Sequence, residues 1–262
     1  MCVFTIDLST SNHPTAIRDD DHHFARTRLV AVETTHNKAD GSPLPRRFME
    51  EVAGVCREHK LVFHVDGARL MNASVALKAS AADICRDADS VSLCLSKGLG
   101  APVGSVLVGT QEVIKEAKRQ RKVVGGGWRQ AGIVAAAALY ALEHNVPKLE
   151  LDHANARALA QGLSAVPGIV CDPSVVHTNI VYFRVLGMPS AEVVRRLKEE
   201  YNVWLGLGPY KGDRLRAVTN LMVTREDIAR VVDAMANIVG RANRERVDAT
   251  LASFREPSVA AV

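Results

Sequence analysis

The 262-residue sequence has no continuous apolar run of the ~18 to 20 residues that a membrane helix requires. Its opening, MCVFTIDLSTSNHPT, carries neither a basic leader nor an apolar one. The cytosol is therefore the expected compartment, with no membrane partner. Its five cysteines, Cys2, Cys56, Cys85, Cys94 and Cys171, are odd in number, widely spaced and never arranged C-x-x-C. That spacing argues against a disulfide framework and against a zinc site, so reduced, mostly buried thiols and no metal are expected. Aromatic residues make up only 5%, too few for the stacking platforms of single-strand binders. Charge of one sign is also scarce in excess. Lysine and arginine (33) barely outnumber aspartate and glutamate (29), without a long run of either, so no nucleic-acid partner is expected. A small, weakly anionic ligand is compatible with the same balance.

What is present is an ordinary globular composition, 47% hydrophobic and 24% charged, in a chain long enough for one large domain or a large and a small one. Residues 1–27 are polar and poorly periodic, and read as a helix end and a loop. From Leu29 a pattern recurs: LVAVETT, KLVFHVD and SVSLCLS are short β-rich runs, separated by helix-like stretches over 46–59 and 74–86. Strands alternating with helices imply a parallel sheet. GSVLVG (104–109) follows the third run too soon for a helical crossover, which points to an antiparallel or edge strand and a mixed sheet. Beyond it lie a basic amphipathic helix over 112–124, a GGG break, an Ala-rich helix over 131–145 expected to be buried, and a helix over 148–165. The β/α mixture that follows reads as a smaller domain, with the large one over 1–147 and the small one over 148–262. The tail after about residue 248 is weakly specified, and there is no internal repeat.

Two residues stand where chemistry is placed in open α/β sheets, at the carboxyl ends of strands. Asp66 closes KLVFHVD, and Lys97 follows SVSLCLS on the next strand. Each has a plainer reading: Asp66 and Gly67 suit a turn or helix cap with Arg69 as partner, and Lys97 a solvated strand end. Together they present an acid and an amine one βα unit apart. A partly desolvated amine suits imine chemistry with carbonyls. The pair suits pyridoxal phosphate, whose aldehyde takes a lysine and whose ring nitrogen takes a carboxylate.

The blocks HVDGARLMNASVA, DSVSLCLSKGLGAPVGSVLVG and RKVVGGGWRQAGIVAAAALYALEHN resemble those of the low-specificity L-threonine aldolases, pyridoxal phosphate enzymes of the aspartate aminotransferase fold type I. Weaker similarity in HFARTRLVAVETTHNKADG, TNIVYF and RLRAVTN extends the likeness over roughly residues 16–235. The resemblance implies an α/β fold, a partial, mixed, mostly parallel sheet in a cofactor-binding large domain with a smaller C-terminal α+β domain. It also implies carbon–carbon lyase activity, cleaving L-threonine or L-allo-threonine to glycine and acetaldehyde, and a homo-oligomer, dimer or tetramer. Lys97 resembles the lysine that forms the aldimine, and Asp66 the carboxylate at the pyridine nitrogen. Arg69 is expected at the phenolic oxygen or the substrate carboxylate, and Ser96 among the cofactor contacts. Arg216, in RLRAVTN, resembles the arginine that clamps the substrate carboxylate, a bidentate task; an edge-strand surface arginine is its plainer reading.

Lys122 and Arg129 flank the triple glycine, read as a helix start favourable to phosphate, or else as a solvated basic face. His23, in HHFARTRL, resembles a histidine near the substrate hydroxyl, or is a surface-loop histidine. His36 and Asn37 suit contacts to cofactor or to structure. Trp128, Thr34 and Asn220 depart from the family's usual methionine, asparagine and histidine. The first strands of the large domain, the phosphate loop and the ring-stacking histidine are not found before residue 16, roughly 90 residues at about 30 per βα unit. A truncated family member is expected, with the retained strands adjacent and in sequence order, both sheet edges exposed, and weakened phosphate binding. Two other outcomes stay open: an inactive subunit partner of a longer homologue, and a related β-eliminating lyase or phenylserine-type aldolase.

Overall fold

The computed structural model describes residues 17–207 and 213–255, with side chains through Glu245. The chain divides into two compact units, one running through Leu151 and the other from Asp152.

In the first unit, β1 (Leu29–Glu33), β2 (Val62–Gly67), β3 (Ser90–Cys94) and β4 (Ser105–Gly109) form a sheet in the order β1-β2-β3-β4. The first three strands are parallel and β4 is antiparallel to β3. The sheet is therefore mixed and follows sequence order, with β1 and β4 at its edges among the described residues. Alternation decides which way each side chain points. Val30, Val32, Phe63, Val65, Val91 and Leu93 are buried, while Ala31, Glu33, His64, Asp66, Ser92 and Cys94 between them are only half-buried. The apolar face packs with α1 (Arg46–Glu58), whose Met49, Val52, Ala53 and Cys56 recur at helical spacing and are all buried in the same core.

The helical stretch after β2 differs from the single helix expected over 74–86. It consists of α2 (Leu70–Leu77) and α3 (Ala81–Ile84), separated at Lys78, which takes the left-handed conformation (φ 52°). Ser80 then caps α3, its Oγ accepting the Asp83 N–H at 3.0 Å. Gly67, the last residue of β2, has no room for a side chain: a Cβ there would stand 2.8 Å from the Ser92 carbonyl oxygen.

Helix α4 (Gln111–Val123) buries no residue, and α5 (Gly132–His144) buries only Ala138 and Ala141. The expectation of a buried Ala-rich helix is thus corrected. Its hydrophobic residues run all round the helix, and nothing described covers the face bearing Ile133 (89% exposed), Leu139 and Tyr140. β4 is likewise exposed along its length. The thiols need a similar correction, since among the described cysteines only Cys56 is buried, and Cys85, Cys94 and Cys171 are half-buried; all four are free.

The second unit contains most of α6 (Leu149–Ser164), then β5 (Ile169–Val170), β6 (Ile180–Val185), α7 (Ser190–Tyr201), β7 (Gly206–Leu207), β8 (Leu215–Val218) and α8 (Arg225–Arg255). Its sheet, in the order β5-β6-β8-β7, is antiparallel throughout. A core of Leu159, Leu163, Phe183, Leu197, Leu215, Met235 and Ile238 joins the helices to it. The weakly specified tail proves helical as far as Arg255. Asp213 supports the start of α7, where its Oδ1 accepts both the N–H and the hydroxyl of Ser190 at 2.6 Å. At the start of this unit Asp152 and His153 are both 2% exposed. Burial pushes the Asp152 carboxyl up to about 6, and burial, reinforced by the Arg157 charge, pushes the His153 imidazole down to about 4.

Candidate active site

The register of the parallel strands sets Glu33 of β1, Asp66 of β2 and Ser92 of β3 in one row near their carboxyl ends. Because they alternate with the buried valines and leucines, they emerge together on the open face of the sheet. Asp66 makes the turn that its sequence context allows: its Oδ1 accepts the Ala68 N–H at 2.9 Å. That turn uses one of its two carboxylate oxygens. Arg69, half-buried, stands at the N-cap of α2, and its carbonyl oxygen accepts the Thr35 hydroxyl at 3.1 Å. Thr34 and Thr35 are fully buried, and the Thr34 hydroxyl accepts the Leu44 N–H at 3.1 Å. Thr35 thus ties the loop after β1 to the start of α2, and Thr34 ties it to the approach to α1.

Lys97 stands three residues beyond β3 in a turn closed by the Gly100 N–H to its carbonyl (2.9 Å) and by the Ala101 N–H to that of Leu95 (3.0 Å). Leu95 and Leu99 plug into the core and turn Ser96 and Lys97 outward, so Lys97 is exposed where partial desolvation was expected. The Ser96 hydroxyl is 3.5 Å from the Cys94 sulfur. Burial would raise the Cys94 thiol, but hydrogen bonding with Ser96 and Ser105 and the Lys97 charge outweigh it and pull the thiol below its ordinary value.

Glu33 ties the group together. Burial raises its carboxyl, the charges of His36, Lys97 and Arg69 oppose that shift, and the charge of Asp66 adds to it. Its Oε2 is 3.4 Å from His36 Nε2. Sequence reasoning did not single out Glu33, although it shares the parity of Asp66 and ends the neighbouring strand. His64, two residues before Asp66 on the same face, places Nδ1 2.8 Å from the Ser90 hydroxyl; burial lowers its imidazole and the Asp66 charge opposes this.

Asp66, Arg69 and Lys97 each lie within electrostatic reach of Glu33, and Ser96 directly precedes Lys97 in the turn after β3. His23 lies in the exposed segment before β1, its Nδ1 2.7 Å from Asp21 Oδ1 and its ring 3.9 Å from that of His22. Lys122 falls in the last turn of α4, and Arg129 in the loop before α5; both are exposed. The reading of a helix start at the triple glycine is therefore corrected: the glycines follow the negative end of α4, a place that favours a lysine over a phosphate. Arg216 is half-buried on β8 of the second unit, opposite Tyr182, and β8 lies between β6 and β7, so it is not an edge strand. Asn220 accepts the Met222 N–H at 2.9 Å in the turn after β8, and Trp128 is exposed.

The donor set of the first unit suits pyridoxal phosphate by its chemistry. A carboxylate with one committed oxygen matches a protonated ring nitrogen, an accessible primary amine matches an aldehyde, and a guanidinium and a serine hydroxyl match anionic oxygens.

Comparison with known proteins adds to this geometry. The low specificity L-threonine aldolase of Escherichia coli K12 is 44% identical over 215 residues, which cover 82% of this chain and 61% of that protein. The low-specificity L-threonine aldolase 1 of Arabidopsis thaliana is 41% identical over 228 residues, covering 86% and 63%. The chain thus spans about three-fifths of the length of these relatives. The solved structure of a Leishmania major threonine aldolase shares the fold at a TM-score of 0.70 and 21% identity, covering 86% of this chain and 66% of that one. The beta-eliminating lyase family matches residues 7–186, more than two-thirds of the sequence and all four strands of the first sheet, and to that family this chain belongs.

Proposed function

We propose that the protein is a pyridoxal phosphate-dependent lyase that cleaves L-threonine or L-allo-threonine to glycine and acetaldehyde. The observation that carries this reading is the pairing of Asp66 and Lys97 at the carboxyl ends of adjacent parallel strands, in a chain 41% and 44% identical to threonine aldolases. When bound, the cofactor supplies an electron sink for the pair released as the Cα–Cβ bond breaks. The Lys97 Nζ would be the amine that holds the cofactor's aldehyde. Asp66, whose Oδ1 accepts the Ala68 N–H, would use its carboxylate to hold the ring nitrogen and favour its proton. Arg69 and Ser96 supply a cation and a hydroxyl to the cofactor's oxygens, and Lys122 and Arg129 are assigned to its phosphate by resemblance alone. Arg216 is assigned the substrate carboxylate on the same ground. His23 accepts the proton of the β-hydroxyl: its Nδ1 is engaged by Asp21, so Nε2 is the ring nitrogen left to take a proton. We infer a homo-oligomer, supported by the exposed apolar residues of α5, and a cytosolic location.

The test is absorption of the purified protein titrated with pyridoxal phosphate, with Lys97→Ala as control, followed by product assay. A saturable, borohydride-sensitive near-visible band that requires Lys97, with acetaldehyde and glycine formed from threonine, is expected. A band that persists in Lys97→Ala refutes the assignment of Lys97. Pyruvate from serine in place of acetaldehyde from threonine would point to a β-eliminating reaction. Folded protein with no band would leave the signature without its catalysis.

A further inference from the structure

We propose that Glu33, held by His36, is a positioning residue that places a second negative charge beside Asp66 and so strengthens the hold on a protonated ring nitrogen. The inference rests on the cofactor reading above and deepens it. Glu33 and Asp66 are ladder partners on neighbouring parallel strands, about one strand spacing (~4.8 Å) apart, and their side chains leave the same face of the sheet. His36 Nδ1 accepts the Lys38 N–H at 3.2 Å, so a neutral His36 ring carries its proton on Nε2. That nitrogen faces Glu33 Oε2 at 3.4 Å, and its N–H favours the ionised carboxylate.

The charged and titratable groups that face Glu33 are His36 on its own loop, Asp66 and Arg69 at the end of β2, and Lys97 beyond β3. Burial, the largest influence, and Asp66 raise the Glu33 carboxyl above its ordinary value, while His36, Lys97 and Arg69 favour its charged form. The Asp66 charge acts on His64 of the same strand, whose Nδ1 is engaged by Ser90. A cationic ring nitrogen brought to Asp66 would thus meet two carboxylates, one in contact and one a strand away. Both oppose loss of its proton.

The experiment compares the affinity of pyridoxal phosphate with that of its 1-deaza analogue, which keeps the aldehyde and phosphate but has no ring nitrogen to protonate. Wild type, Glu33→Gln, Glu33→Asp and His36→Asn are measured by absorption titration. At a strand's separation in a half-exposed site, loss of one charge is expected to weaken pyridoxal phosphate about tenfold in Glu33→Gln. Affinity for the deaza analogue should stay within about twofold of wild type, and Glu33→Asp should recover part of the loss. His36→Asn keeps an acceptor for Lys38 while removing Nε2, and should give a smaller loss in the same direction. If Glu33→Gln weakens both ligands alike, or neither, the proposal is overturned. If Glu33→Gln does not fold, the same comparison in His36→Asn decides it. A wild-type protein that binds neither ligand refutes the cofactor reading itself, and this inference falls with it.

Discussion

Replacing Asp152 with asparagine should stabilise the protein at neutral pH and also expose a pH dependence that the wild type conceals. In the folded state the Asp152 carboxyl titrates at about 6 instead of its ordinary 3.8. Between these values the folded chain holds a proton that the unfolded chain has released, so stability falls as pH rises from 3.8 through 6. His153, the next residue, titrates at about 4 instead of its ordinary 6.5. Here the unfolded chain holds the extra proton, so stability rises with pH over nearly the same interval. The slopes, each close to 1.4 kcal/mol per pH unit, have opposite sign and largely cancel between about pH 4 and 6. Asp152→Asn removes one of them. Relative to wild type the gain should be close to zero near pH 4 and grow to at most about 3 kcal/mol above pH 6, the equivalent of the two-unit shift. At roughly 2 to 4 °C per kcal/mol for a chain of this size, that is several degrees in Tm. Thermal denaturation of both proteins at half-unit steps from pH 4 to 8 measures it. A difference that stays constant across the series, or a loss of stability above pH 6, would refute the claim that Asp152 is an uncompensated buried acid.

Gly67→Ala should cost about 1 to 3 kcal/mol in urea unfolding, because the new Cβ meets the Ser92 backbone carbonyl, which cannot swing aside as a side chain can. Asp213→Ala removes the acceptor of two hydrogen bonds at the start of α7 and should cost about 1 kcal/mol at pH 7. Hydrogen bonding to Ser190 lowers the Asp213 carboxyl, so its contribution is present above the ordinary carboxylate range and lost as the pH falls through the lowered value. The deficit of Asp213→Ala should accordingly shrink in acid, and an unchanged deficit there would count against the cap.

The strands of the first sheet, their order and the antiparallel β4 are legible in the sequence because alternation, glycine turns and connection length are local signals. The places of Asp66, near the end of β2, and of Lys97, three residues beyond β3, are legible for the same reason. The break at Lys78 is not, because a lysine in the left-handed conformation leaves no mark in composition, unlike a glycine. The exposure of α5 is also illegible. An Ala-rich helix is apolar whether or not anything covers it, and cover is a property of neighbours. Glu33 escaped because a lone glutamate after a valine run looks like any polar strand end. Only the pairing register shows that it stands beside Asp66.

That register also governs how the protein tolerates change. In β2 the residues on the proposed site's face, His64 and Asp66, and the buried Phe63 and Val65 occupy alternate positions of a single six-residue strand. A substitution at one parity leaves the other untouched, so stability and chemistry can drift independently one residue at a time. Deleting or inserting one residue within the strand exchanges the two sets, burying a carboxylate and baring a phenylalanine in the same event. Among variants of this segment, point changes should be graded in effect, and single-residue length changes should not be found at all.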